Sequence, residues 1–321
     1  MAAEANGAGS GGPLVSVIVP VHDRARLVLR TLASVQAQAY RPLQLVVVDD
    51  GSTDGTAGAA RDWAVAAADP SLEVIVDTGP HAGVCAARNR GAALAAGRYF
   101  QFLDSDDLLA PDKIARQVAA LERGGAGYAW CRTLQVDAQG RVLARLGRPP
   151  RHRYRDVPGH QWHISALLLR RACWERAGPF DPDLPRSNDW EHAARVKLAC
   201  GSGLYLPFTG SRYVVHGGPQ LIRGGALEYA RARERAITGI QGRLAVLGPQ
   251  ARPGIEAAGV ALLKNGLRFA GQGQWRSARR NLCTAAAWLR GPARGGALLA
   301  AALLGLLPAA AGGGGDDGHV S

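Results

Sequence analysis

Four residues in one short stretch set the first chemical question. Leu103-Asp104-Ser105-Asp106-Asp107-Leu108 closes an apolar run, Tyr99-Phe-Gln-Phe-Leu103. Carboxylates two residues apart at a strand end can serve a hard cation and a hydroxyl-bearing ligand together. Magnesium or manganese takes one or two protein carboxylates and fills its shell with phosphate oxygens and water. A cation held this way neutralises a diphosphate and makes it a better leaving group. Taken alone, the stretch reads better as a solvated acidic loop capping the next helix through Asp106 or Asp107. It does not stand alone. Asp49-Asp50-Gly-Ser-Thr-Asp54 ends a second apolar run. Pro80-His-Ala-Gly83-Val-Cys-Ala-Ala-Arg88-Asn89-Arg-Gly91 precedes the acidic strand by the length of one helix.

The elements that must position these residues follow from periodicity. Val15–Val19, Leu43–Val48, Leu72–Val76 and Tyr99–Leu103 read as strands. Helical stretches separate them at 24–39, 53–67 and 83–95, and another runs from Pro111 to about Arg123, with Ser52, Thr53 or Asp54 available to cap the second. Strands alternating with helices of this length predict βαβ units and a mainly parallel sheet. Ligands of such sheets sit beyond the carboxyl ends of the strands, where both acidic clusters fall. Past residue 125 the pattern changes. Tyr128–Val136 and Arg141–Leu146 read as a strand and a short returning strand. Residues 141–155 hold six arginines and no acid, read as a solvated loop or one that closes over a diphosphate. Ile164–Leu169, Leu204–Phe208 and Arg212–His216 read as strands, and 171–177 and 187–200 as helices. From about 223 onward the chain reads as helices broken at Gly248, Gly271–Gly273 and Gly291.

Four segments together resemble the family-2 inverting glycosyltransferases: Val15-Ser-Val-Ile-Val-Pro-Val-His22, Val48-Asp-Asp-Gly-Ser-Thr-Asp54, Gly83…Ala87-Arg-Asn89 and Phe102-Leu-Asp-Ser-Asp-Asp107. They occur in that family's order and spacing, and the resemblance covers roughly residues 14–217. It implies a GT-A fold, an α/β Rossmann-like nucleotide half joined to an acceptor half. It also implies that Asp50 binds the nucleoside, that Pro20 and Val21 line the base pocket, and that Arg88 approaches base or ribose. Asp104 would contact ribose or sugar, and Asp106 would hold a Mg2+ or Mn2+ that bridges the diphosphate. His216, at the end of its strand, would approach that metal or the leaving diphosphate, or be bonded to backbone. The donor implied is a nucleotide-sugar, usually UDP-linked, with GDP and dTDP as other options.

Inverting transfer needs one carboxylate to take the acceptor hydroxyl's proton. The family supplies it from a Glu-Asp pair at the start of a helix in the acceptor half, and here the pair reads Asn188-Asp189. Asp189 and Glu191 point about 200° apart on a helix, so both cannot face one site. Asp189 is the expected base, and Glu191 is expected to pair with Arg195, four residues on. His160 and His163 flank Trp162, either a sugar-stacking aromatic or a half-buried structural one.

With 321 residues, 47% of them hydrophobic, the chain can bury a real core. Residues 1–13 read as a small, polar leader without a secretory pattern, and 14–222 as the GT-A domain, its nucleotide half at 14–125 and acceptor half at 126–222. A helical extension spans 223–311, and 312–321 reads as a disordered tail. No run of about 18 apolar residues predicts a membrane span. Five scattered cysteines suggest reduced buried thiols and a cytoplasmic protein. Net charge is +12, of which +8 falls in residues 223–321. The charge invites a nucleic-acid reading, but no recognition motif accompanies it and no nucleic-acid partner is expected. The C-terminal helices are read either as packing on the catalytic domain or a second subunit, or as a basic, amphipathic contact with the inner face of a membrane. The function expected is metal-dependent sugar transfer to a hydroxyl of a glycan or lipid-linked acceptor in surface-glycan synthesis. Its rivals are a non-catalytic nucleotide-sugar-binding scaffold, suggested by Asn188, and a nucleotidyltransferase. The latter would want a glycine-rich, lysine-bearing loop that Pro20-Val-His-Asp-Arg24 does not supply.

Overall fold

The structure is a computed structural model that describes residues 12–67, 69–158, 162–216 and 225–303. The expected disordered tail, His160 and nearly all of the leader lie outside these. The chain divides into two compact units, residues 1–223 and 224–321.

The first unit is built on one mixed sheet. Its first half follows the expected alternation: β1 (Val15–Val21), α1 (Ala25–Gln36), β2 (Leu43–Asp50), α2 (Thr56–Ala67), β3 (Leu72–Gly79), α3 (Val84–Leu94) and β4 (Tyr99–Phe102). A two-residue strand β5 (Leu108–Leu109) precedes α4 (Lys113–Gly124). Then come β6 (Tyr128–Asp137), β7 (Val142–Leu146), β8 (Leu167–Arg170), α5 (Arg171–Ala177), α6 (Asn188–Cys200) and β9 (Leu204–Val215). The sheet runs β3-β2-β1-β4-β8-β6-β9-β5, with β7 on β6. The pairings among β1, β2, β3 and β4 are all parallel, whereas β8 joins β4 and β6 antiparallel. Strand order reverses between β1 and β4, and both acidic clusters lie at that edge, the crevice where α/β sheets take ligands.

Both faces are covered, which is why β1 and β2 read as apolar runs, broken only by Ser16 and Gln44, which are buried and bonded to each other. Val15, Val17 and Val19 pack with Val28 and Leu32 of α1 and Ile114 and Leu121 of α4. Ile18, Val46, Phe100 and Phe102 face the other way, against Cys85 of α3, Trp174 of α5 and Val196 of α6.

Three expectations need correction. Residues 164–169 are half strand: Ile164–Ala166 form a 3-10 turn held by His163, and only Leu167 onward pairs. The two strands expected at 204–208 and 212–216 are one. Pro207 and Gly210 mark a break by pattern, but β9 absorbs them where its register against β6 shifts, between Trp130 and Arg132 and between Arg132 and Thr133. A Cβ on Gly210 would lie 2.4 Å from the Cys131 sulfur, so the strand passes there only as glycine. The cysteines are not all free thiols, since Cys173 of α5 and Cys200 of α6 form a disulfide.

The second unit holds α7 (Ala226–Ala245), α8 (Arg252–Gly271), α9 (Trp275–Trp288) and α10 (Gly291–Leu303). Ala278, Leu282 and Ala285, spaced along one face of α9, and Leu289 just past its end are all buried. Leu289 and Leu282 fill the space left by Gly259 and Gly266 of α8. Asn265 donates to the Ala230 carbonyl and to Asn281, and Asn281 to Glu234, so a buried chain of polar side chains links α7, α8 and α9. No described helix is long and apolar enough to cross a membrane.

Candidate active site

The site forms where β1, β2 and β4 end. Pro20 and Val21 close β1, buried and in register with Val48 and Asp49. Asp50, the last residue of β2, is buried, and its carboxylate accepts from the main-chain N–H groups of Ala82 and Gly83, each at 2.8 Å. His22 and His81 both direct Nδ1 to the Asp50 carbonyl, at 2.8 and 3.0 Å, with their rings 4.1 Å apart. The turn beyond Asp50 needs Gly51: its φ is +72°, and a Cβ there would meet the His81 nitrogen at 2.6 Å. Asp54 accepts from the N–H of Thr56 at the start of α2, as one of the expected caps, and from that of Ala25.

Arg88 links the two halves. It projects from α3 and is 3% exposed. Its Nη2 donates to Asp104 at 2.6 Å and its Nη1 to the Asn188 side-chain oxygen at 2.8 Å, while the guanidinium lies 5.0 Å from the Phe180 ring centre. Burial works against its charge, yet Asp104, with a smaller contribution from Asp189, carries its pKa above the ordinary value. Next to it, Asn89 exchanges two 2.8 Å bonds with the main chain of Phe180, pinning the 178–181 loop to α3.

The acidic loop splits its carboxylates between two neighbours. Asp106 meets His216 Nε2 at 2.9 Å. This contact depends on β9, which pairs Leu108 with Arg212 and carries the chain on toward the loop. Asp107 is fully buried; its Oδ2 accepts from Ser165 at 2.5 Å and faces His163 Nδ1 at 3.3 Å, while its Oδ1 has no hydrogen-bond partner. Burial, then Asp104 and Asp106, push the Asp107 carboxyl well above the usual carboxylate range. Asp104, Asp107 and His163 bring one ligand atom each within 4.8 Å of one another, an oxygen-rich group suited to a divalent cation. The orphaned Asp107 oxygen fits such a site, because a buried polar atom without a partner is costly.

Across Arg88 from the acidic loop, Asp189 lies beside Asn188 at the start of α6, its carboxylate accepting from the Trp190 N–H at 2.8 Å. Glu191 makes the expected pair with Arg195 through three bonds of 2.8–3.0 Å, which takes it out of the site. Trp162 is 3% exposed and packs on Trp130 and Tyr128, so it is a core residue. In the arginine stretch, Arg141 pairs with Asp137 and Arg148 lies 3.4 Å from Asp156.

The sequence thus placed Asp50, Arg88, Asp104, Asp106 and His216 around one edge but left Asp107, Asn89 and His163 without a role. The apolar Leu108-Leu109 that follows Asp107 was a signal of burial. Nothing local marked His163, which reaches Asp107 across the sheet.

Comparison with known proteins agrees with this geometry. Residues 16–174 match the family model for glycosyl transferase family 2. This segment is a family-2 glycosyltransferase domain. Relatives include an uncharacterized glycosyltransferase of Haemophilus influenzae, 29% identical over half of this chain and 63% of its own length. Another is the uncharacterized glycosyltransferase EpsJ of Bacillus subtilis, 27% identical over 60% of each chain. The chain therefore spans about three fifths of the length of these curated relatives. Among solved structures, Staphylococcus aureus TarS in complex with UDP superposes with a TM-score of 0.66 at 17% identity, covering 90% of this chain and 87% of that one. The mannosyltransferase PcManGT of Pyrobaculum calidifontis, in complex with GDP-Man and Mn2+, superposes at 0.57 and 26% identity, covering 91% and 80%. The fold of the glycosyltransferase domain is GT-A.

Proposed function

We propose that the protein transfers a sugar, with inversion, from a nucleotide-sugar to an acceptor hydroxyl in the synthesis of a cell-surface glycan. The observation that carries this is Arg88, buried and bonded at once to Asp104 of the acidic loop and to Asn188 beside Asp189. One guanidinium thereby sets the donor-side carboxylate against the acceptor-side one. In this reading Asp50, Pro20 and Val21 form the nucleoside end, Asp104 holds ribose or sugar, and Asp106 and His216 face the diphosphate. Asp106, with His216 beside it, would hold a Mg2+ or Mn2+, which would supply charge neutralisation of the leaving diphosphate. Asp189 takes the proton from the acceptor hydroxyl as it attacks the anomeric carbon. With Glu191 committed to Arg195, Asp189 has no rival carboxylate on the first turn of α6. UDP is the first donor nucleotide to try and GDP the second, since complexes with each occur among the structural neighbours.

The test is calorimetric titration of UDP, GDP and dTDP, with and without manganese, into the wild type and Asp106→Ala. Metal-dependent binding of one nucleotide, lost in the variant, is expected. No binding of any nucleotide under any metal condition would end the transferase reading. Binding without transfer to any acceptor would favour the scaffold that Asn188 first suggested.

A further inference from the structure

The second unit carries a chemistry the glycosyltransferase domain does not use. Residues 257–303 include seven lysines and arginines and no acid. The buried faces of α8 and α9 are spent on each other, through Leu262, Phe269, Ala278 and Leu282. Around the turn joining them, the outward residues combine apolar bulk with positive charge. Trp275, the first residue of α9, is 50% exposed and Leu267, one turn before the end of α8, is 49% exposed. Arg276 and Arg279 are exposed beside Trp275, and neither has an acidic partner among the described residues. Arg280, by contrast, is held by Glu234 and marks where the compensated surface begins. Val260, Lys264, Leu267 and Arg268 continue the exposed face along α8 at helical spacing.

We propose that the α8–α9 turn rests on an anionic lipid bilayer, with Trp275 and Leu267 entering the headgroup boundary and Arg276 and Arg279 on lipid phosphates. Tryptophan favours the membrane–water interface, where its apolar ring and polar N–H are both accommodated. Arginines near a negatively charged leaflet each strengthen binding about fivefold, and their stems cover apolar surface while the heads stay wet. Charge argues against a second copy on this face: a two-fold contact would set Lys264, Arg268, Arg276 and Arg279 against the same four cations. Nucleic acid would engage the arginines but leaves the exposed leucine and valine in water. The inference rests on the transferase reading only for its benefit, which is to bring the site to a lipid-linked acceptor. The binding itself is independent of transfer.

Full-length protein is sedimented with vesicles of phosphatidylcholine alone and of phosphatidylcholine mixed with phosphatidylglycerol. The variants are Trp275→Ala and the pair Arg276→Gln/Arg279→Gln, both on exposed positions, with melting curves to show that they fold. Binding to the mixed vesicles only is expected, weakened about thirtyfold in the arginine pair and at least about fivefold in Trp275→Ala. Equal binding by wild type and variants overturns the proposal, as does failure to bind mixed vesicles. So does displacement from them by duplex DNA at equal phosphate, or self-association that the variants abolish. Vesicle binding that persists while no nucleotide binds in the calorimetric titration would remove the transferase reading and leave this one standing.

Discussion

Replacing Arg88 by methionine tests the link between the two halves of the site directly. The guanidinium side chain is 4% exposed and its Asp104 partner 30% exposed. Breaking a buried ion pair by removing one partner costs about 3–5 kcal/mol, but Asp104 can recover water through its exposed edge, which places the loss near the lower end. Asn188 loses a donor to its buried oxygen, about 1 kcal/mol, and the Phe180 contact removes about 0.5–1 kcal/mol more. Methionine restores about 1.5 kcal/mol of this through its own burial, leaving a net destabilisation of about 3 kcal/mol. In a unit of this size each kcal/mol shifts Tm by about 2–4 °C, so a fall of roughly 6–12 °C is expected. The assay is thermal unfolding of Arg88→Met, Asp104→Asn and the double variant. Because the two side chains share a bond, the cycle should return a coupling of about 2 kcal/mol, well above the additive limit of about 0.5 kcal/mol. A Tm within about 2 °C of wild type, or additive single effects, would refute the bridge as the element that holds the acidic loop and the start of α6 together.

Asp189→Asn should lower kcat at least about a hundredfold while leaving donor affinity in the calorimeter within twofold; parallel loss of both would move the residue from proton acceptor to donor binding. Asn89→Ala removes the two-way bond to Phe180 and should cost about 1–2 kcal/mol in urea unfolding, with unchanged stability showing that the 178–181 loop needs no such pin. Lys197 is buried, donates to the Asp156 carbonyl at 2.7 Å, and lies over Trp162. Burial, against the pull of the Asp156 carboxylate, lowers its amine to about 7. Between that value and the unfolded pKa, about 10.4, the unfolded chain binds the proton that the folded chain releases, so stability rises with pH. From pH 7 to 9 the gain should be about 2 kcal/mol and should vanish in Lys197→Met; equal slopes in the two proteins would show that the amine keeps its proton in the fold.

What the sequence disclosed, and what it hid, follows from the range of the interactions involved. β1 and β2 were legible because a strand covered on both faces is apolar at nearly every position, and the acidic clusters were legible because they end such strands. β5 was not: two residues carry no period, and Leu108–Leu109 is a strand only because β9 arrives beside it. β9 itself read as two pieces because Pro207 and Gly210 are local signals for a break, overridden by a register shift that only the β6 partner creates. The cysteines hid their pairing for the same reason. Nothing at 173 or 200 shows that α5 and α6 lie side by side. Within the site, Arg88 and Asp104 were visible through their motifs, whereas the Asn188 oxygen that accepts from the guanidinium Nη1 lies 100 residues from it in sequence.

The path of β9 has a consequence for how the protein is made. A ribosome releasing about 5–20 residues each second delivers β1 to β4, and with them every carboxylate of the two acidic clusters, well before it reaches residue 204. β8 must then enter beside β4, and β9 must pair between β6 and β5 before His216 can meet Asp106. A nascent chain cut short at residue 200 would carry the acidic loop without its strand partner or its histidine. The acidic end of the site is therefore translated early and finished late, and ligand binding by nascent chains of increasing length would show it mature only after the last strand has emerged.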